Sequence, residues 1–190
     1  MTWIRTIPPD QATGPAVEAY AKLGQPSSQK RASNIWQSLS LDPGAMVAAF
    51  GLRAELMNDP SPLSLAQAEA IVLVVSATNG CAYCVAHHGP KFAAALGNEP
   101  LARAVAIDYR EADLAARDRV LLDYAVALTC EPAERKQEDV ERLREYGFDD
   151  AAILKATEIT AFYNAINRIV CALNVELEAG VTPWEFGAQR

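Results

Sequence analysis

Histidine is scarce in this chain: only two residues in 190, and they are adjacent, His87 and His88. Four cysteines are too few for a disulfide-stapled scaffold, so the expectation is thiols in a reducing cytoplasm. Basic residues fall short of acidic ones, 17 against 24, and a net charge of −7 argues against nucleic acid or an anionic membrane as partner. No apolar run exceeds six residues, as in Ala70–Val75, where a spanning helix needs roughly 20. The opening, MTWIRTIPPDQATG, lacks the apolar core of a secretion signal. Convincing strand alternation is missing as well. With 51% hydrophobic and 22% charged residues, the composition is that of an ordinary globular protein. The length suits one domain, read as a single all-α domain over residues 1–190.

What the chain does have is helix punctuation. Pro15 and Gly24 bracket a first helix, and the polar stretch from Lys22 to Asn34 reads as a loop. Asp42 caps a second helix that starts at Pro43 and ends at Asn58-Asp59-Pro60. Ser64 and Gln67 stand in capping-box register before a third, which stops at Asn79-Gly80. Another helix is expected from about Cys81, with Pro90 predicting a kink or break near Gly89. Further on, ADLAARDRVLLDYAVALTC stops before Pro132, and RKQEDVERLREYG is a charged helix ending at Gly147. Asp149 caps a long last helix, whose apolar stripe runs Ile153, Ala156, Ile159, Phe162, Ile166, Ile169, Leu173, Leu177. Residues 64–97 and 149–180 echo each other faintly. The branched run AIVLVVSAT also fits a buried strand, and a strand before C-x-x-C is the thioredoxin arrangement. That fold needs several further strands, so the helical reading is preferred.

The stretch SATNGCAYCVAHHGPKF places Cys81 and Cys84 three residues apart, with His88 four beyond. On a wheel of about 100° per residue, Cys81 and His88 fall about 60° and 40° from Cys84 on one side, and His87 about 60° on the other. His88 can therefore touch Cys84. Free cysteine, with a pKa of about 8.5, is only a few per cent thiolate at neutral pH. A helix N-terminus and an imidazole both favour the thiolate, and a second thiol one turn away can close a disulfide on a sulfenic acid. The bland alternative is a pair of core thiols. Haem attachment fails because Val85 stands where the histidine must be. Zinc would take Cys81, Cys84 and a histidine but lacks an evident fourth ligand, so no metal is expected. Cys130 and Cys171 lie in apolar helical patterns and read as inert core residues. Glu69 has Leu65, Ala66, Val72 and Leu73 at helical spacing. It is either a core-facing carboxyl able to exchange protons near neutral pH, or an exposed first-turn residue.

Taken together, Glu69, Cys81, Cys84 and His88 read E-x(11)-C-x-x-C-x-x-x-H. This resembles the alkylhydroperoxidase D-like proteins of the carboxymuconolactone decarboxylase superfamily, in their peroxidase-related branch. Residues 43–97 carry the resemblance most specifically, within a motif-bearing core of about 43–125. The segments LLDYAVALT, LREYGFDDAAIL and AFYNAINRIVCALNVE are similar to that branch too. The resemblance implies an all-helical homo-oligomer with a thiol peroxidase or disulfide-reductase centre and no bound organic cofactor. It also implies that Cys84 attacks the peroxide, that Cys81 is the more exposed resolving thiol, and that His88 and Glu69 relay protons. One departure stands out. Founding members carry a further histidine between the cysteines, where this chain has Tyr83, a poor base with a pKa of about 10. That implies weaker thiol activation, or an oxidant other than a simple alkyl hydroperoxide. Decarboxylase members generally lack the dithiol.

The expected partners are thus a small-molecule hydroperoxide and a dithiol or protein reductant. Two other readings stand beside this one: a redox-sensing or partner-binding module using the same disulfide, and an enzyme acting on a lactone-like molecule.

Overall fold

Local capping signals decide where the helices begin. The computed structural model describes residues 2–24 and 32–189, and among these every regular element is helical. Most of the expected loop from Lys22 to Asn34 lies outside the described residues. No helix is long and apolar enough to cross a membrane among the described residues.

The described chain falls into two compact units, Met1–Asn58 with Ile169–Val181, and Asp59–Arg168 with Thr182–Arg190. The first holds α1 (Pro15–Lys22), α2 (Asn34–Ser38) and α3 (Pro43–Met57). Asp42 Oδ1 accepts the Ala45 N–H at 3.1 Å, the expected cap of α3. Buried Tyr20 donates its hydroxyl to the Ile7 carbonyl at 2.5 Å, and burial raises its pKa.

The second unit holds α4 (Leu65–Thr78), α5 (Ala82–Leu96), α6 (Glu99–Asp108), α7 (Ala116–Cys130), α8 (Gln137–Glu145) and most of α9 (Asp150–Ala172). At the start of α4, Ser64 Oγ accepts the Gln67 N–H and Gln67 Oε1 accepts the Ser64 N–H, each at 3.1 Å. This reciprocal cap fixes the frame in which the branched run is helical. Every residue from Ala68 to Thr78 is buried, with α5, α6 and α7 packed around the helix. A helix apolar on all sides needs such surroundings. Ile71, Val72, Leu73, Val74 and Val75 each contribute about 1.5–3 kcal/mol by burial.

Several expectations need correction. α5 runs unbroken through Pro90 to Leu96. The proline ring faces solvent, and the missing N–H removes one intrahelical bond from a helix held by packing on α4 and α6. Cys130 and Cys171 are exposed, because one ends α7 and the other lies in the last turn of α9. The stripe of α9 is buried from Ile153 to Ile166, but the helix stops at Ala172, leaving Leu173 and Leu177 part-buried beyond it. α6 has no counterpart in the sequence reading, although Asn98 caps it, its Oδ1 accepting the Leu101 N–H at 3.1 Å.

The C-terminal segment has no regular structure, yet it is pinned. Trp184 is buried, with its indole directly against Gly89 and 4.4 Å from the Arg103 guanidinium. Gln189, also buried, donates its amide to the Ala106 and Ile107 carbonyls at 2.8 and 3.1 Å, and accepts the Tyr109 N–H at 3.1 Å. It thereby serves carbonyls that the end of α6 leaves open. Burial, with Asp123 accepting its hydroxyl at 2.9 Å, pushes the Tyr109 phenol well above its usual pKa.

One buried group in α9 is unsatisfied: Thr160 Oγ1 has no hydrogen-bond partner. Thr160→Val keeps the shape and removes that hydroxyl. The substitution should stabilise the protein by about 1 kcal/mol, seen as a melting temperature roughly 2–4 °C higher by calorimetry. A lower value would mean that the hydroxyl is bonded in solution.

Candidate active site

The site is built on the hairpin of α4 and α5, and the turn between them sets its geometry. Asn79, the cap that follows α4, still has helical dihedrals, and Gly80 turns left-handed at φ 68°. The Gly80 N–H donates to the Ala77 carbonyl at 3.0 Å, and the Cys81 N–H reaches back to Ser76 at 2.9 Å. This pair of bonds is a Schellman motif, in which the residue after the glycine turns inward against the helix it has left. Cys81 therefore occupies a buried position at 1% exposure, next to Cys84 at 3%. The expectation of a more exposed Cys81 is corrected by this turn.

From the other side, the reciprocal cap of α4 sets the phase of Glu69, and α5 sets that of His88. The two meet inside the unit, with Glu69 Oε2 2.6 Å from His88 Nδ1. Both are buried, at 4% and 7% exposure, so Glu69 is a core-facing carboxyl rather than an exposed first-turn residue. A buried carboxyl and imidazole in contact compensate each other's loss of hydration. The rings of His88 and Tyr163 of α9 meet edge to face, with centroids 4.9 Å apart and planes at 82°. His87 takes the other direction, half-buried, and packs at 4.5 Å against Tyr83, the residue that departs from the family pattern. The wheel's separation of the two histidines is thus the arrangement found.

Sequence reasoning missed two contributors from α9. Tyr163 supplies the ring against His88. Asn167, fully buried, accepts from Asn79 Nδ2 at 3.0 Å and donates to Ser76 Oγ at 3.2 Å. The apolar stripe of α9 skips both positions. A polar residue at full burial within that pattern is a signal visible only once the helix phase is known. Among the described residues, no three His, Cys, Asp or Glu side chains are grouped as metal ligands.

The arrangement can move protons along Glu69 and His88 beside two thiols shielded from bulk water. Residues 43–100 match the model of the carboxymuconolactone decarboxylase family. No curated protein matches the chain. Among solved structures, an uncharacterized peroxidase-related protein from Silicibacter sp. TM1040 is 32% identical, over 86% of this chain and 83% of that one, with a TM-score of 0.75. Another, described as an alkylhydroperoxidase AhpD core from Ralstonia eutropha JMP134, is 28% identical over 96% and 97%, with a TM-score of 0.79. A debrominase, Bmp8, in complex with 2,3,4-tribromopyrrole shares the fold at 19% identity, over 94% and 95%, with a TM-score of 0.71.

Proposed function

Because the chain belongs to the carboxymuconolactone decarboxylase family, in its alkylhydroperoxidase D-like branch, we propose that it is a thiol-dependent hydroperoxidase working through Cys84, Cys81, His88 and Glu69. The observation that carries this reading is the buried 2.6 Å contact of Glu69 and His88, on the hairpin that also holds the dithiol. Neither a redox-silent thiol pair nor a solvated helix end has use for a carboxyl–imidazole pair set into the core.

Glu69, as carboxylate, accepts a hydrogen bond from the Nδ1–H of neutral His88, which leaves the lone pair on Nε2. That nitrogen takes the thiol proton of Cys84, one turn away. The thiolate attacks the terminal oxygen of the hydroperoxide: the S–O bond forms, the O–O bond breaks, and the alkoxide leaves as alcohol with the proton returned through His88. Cys81 then displaces water from the sulfenic acid, giving the disulfide. A dithiol or protein reductant restores both thiols by exchange. No organic cofactor or metal enters, and assembly into a homo-oligomer is part of the proposal.

Steady-state consumption of hydroperoxide with a dithiol reductant tests this reading. Many turnovers per chain are expected; a single stoichiometric oxidation would make the protein a sensor instead. Glu69→Gln should lower turnover roughly 10²-fold or more while the helical circular dichroism is kept, within the usual worth of acid–base assistance. His88→Ala should do the same and His87→Ala should have little effect. Equal effects of the two histidine variants would remove His88 from its role.

A further inference from the structure

Asn167 stands out because it grips the two residues that build the turn before Cys81. Its Oδ1 accepts from Asn79, whose backbone closes α4, and its Nδ2 donates to Ser76. The carbonyl of Ser76 is the acceptor for the Cys81 N–H. The second hydrogen of the Asn79 amide goes to Asn164 Oδ1 at 3.0 Å. Asn164 is itself held by Thr129 Oγ1 at 2.9 Å and by Arg168 at 2.7 Å. All of this lies within one unit. Asn167 is fully buried, more than ninety residues along the chain from Ser76, and one helical turn beyond Tyr163, which abuts His88. One face of α9 therefore touches the relay and the dithiol turn together.

We propose that Asn167 is a positioning residue for the dithiol: acting through Ser76 and Asn79, it holds the Gly80–Cys81 turn so that Cys81 stays in reach of Cys84. This rests on the hydroperoxidase reading, in which the two sulfurs must join. A disulfide needs β-carbons about 3.8 Å apart. Cys81 precedes the regular helix, at φ −86° and ψ 84°, so its place is set by the turn rather than by α5. Anchoring that turn to α9 raises the effective concentration of one thiol at the other. Releasing it gives the reduced form more freedom and makes the disulfide less favourable.

The test is equilibration of the full-length protein in glutathione buffers of graded potential, with the Cys81–Cys84 disulfide read by thiol trapping and mass spectrometry. Asn167→Ala should weaken the disulfide about tenfold, a shift of about 30 mV to less negative potential. Ser76→Ala, which deletes only a hydroxyl, should shift it in the same direction by less, and serves if Asn167→Ala does not fold. Thr160→Val, on the same helix but away from the turn, should leave the potential unchanged. A lower melting temperature with an unshifted potential in the Asn167 and Ser76 variants would make Asn167 purely structural and overturn the proposal. A wild-type protein that forms no Cys81–Cys84 disulfide at any potential would instead overturn the hydroperoxidase reading, and this inference with it.

Discussion

Cys84→Ser should reduce hydroperoxide turnover to the uncatalysed background, a loss of roughly 10³-fold or more, as expected when a nucleophile is removed. Cys84 lies within α5 with His88 one turn beyond, and in the proposed relay His88 takes its proton. Cys81 sits ahead of the helix, on a backbone placed by the turn. Cys81→Ser should therefore still react once with peroxide and accumulate a sulfenic acid on Cys84, because nothing follows to resolve it. Trapping with dimedone and peptide mass spectrometry measures this directly. A sulfenic acid on Cys81 in the Cys84→Ser protein would reverse the two roles. Reaction at neither thiol in the wild type, with any hydroperoxide, would remove the catalytic reading. Both thiols are buried, so the reductant should reach the disulfide more slowly than it reaches an exposed one such as a Cys130 mixed disulfide.

Gly89→Ala should be strongly destabilising for a change of one methyl group. A β-carbon built on Gly89 falls 2.2 Å from Trp184 Cε3 and 2.5 Å from Cδ2, inside any tolerable contact. The indole cannot give way cheaply, since Trp184 is buried and the residues after it are tied to α6 through Gly187 and Gln189. Overpacking of this kind costs about 1–3 kcal/mol, which predicts a melting temperature roughly 2–12 °C lower. Trp184→Ala alone should cost about 3–5 kcal/mol through the lost indole burial. In the double variant the clash has no partner, so the combined loss should be smaller than the sum by at least about 1 kcal/mol. Strict additivity in denaturant titrations would show that the two residues do not touch in solution. Because Gly89 follows His88, peroxide turnover should fall in Gly89→Ala beyond what its folded fraction explains.

The caps were legible because their bonds close within a few residues: Asp42 to Ala45, Ser64 with Gln67, and the Asn79-Gly80 stop. Periodicity likewise placed Cys84 and His88 on one side of α5 and His87 on the other, since a helix wheel is a local object. Glu69 was undecided from its neighbours, which fit a core-facing side chain and a first-turn one equally. Contact with His88, nineteen residues away, decides it, and only the packing of α4 on α5 brings the two together.

The remainder depended on what packs where. A helical pattern cannot tell whether its last turn is covered, so Cys130 and Cys171 read as core but are exposed. Pro90 reads as a kink or a break because the rule concerns an isolated helix; the break does not occur, since α5 is held by neighbours on both sides. The sequence by itself determined the fold class and the dithiol, because helix formation, capping and i, i+4 adjacency are short-range. Only the tertiary structure decided that Cys81 is buried, that Glu69 meets His88, and that Asn167 and Tyr163 of α9 join the site. These follow from hydrogen bonds and packing between residues far apart in the chain, where one sequence carries no register.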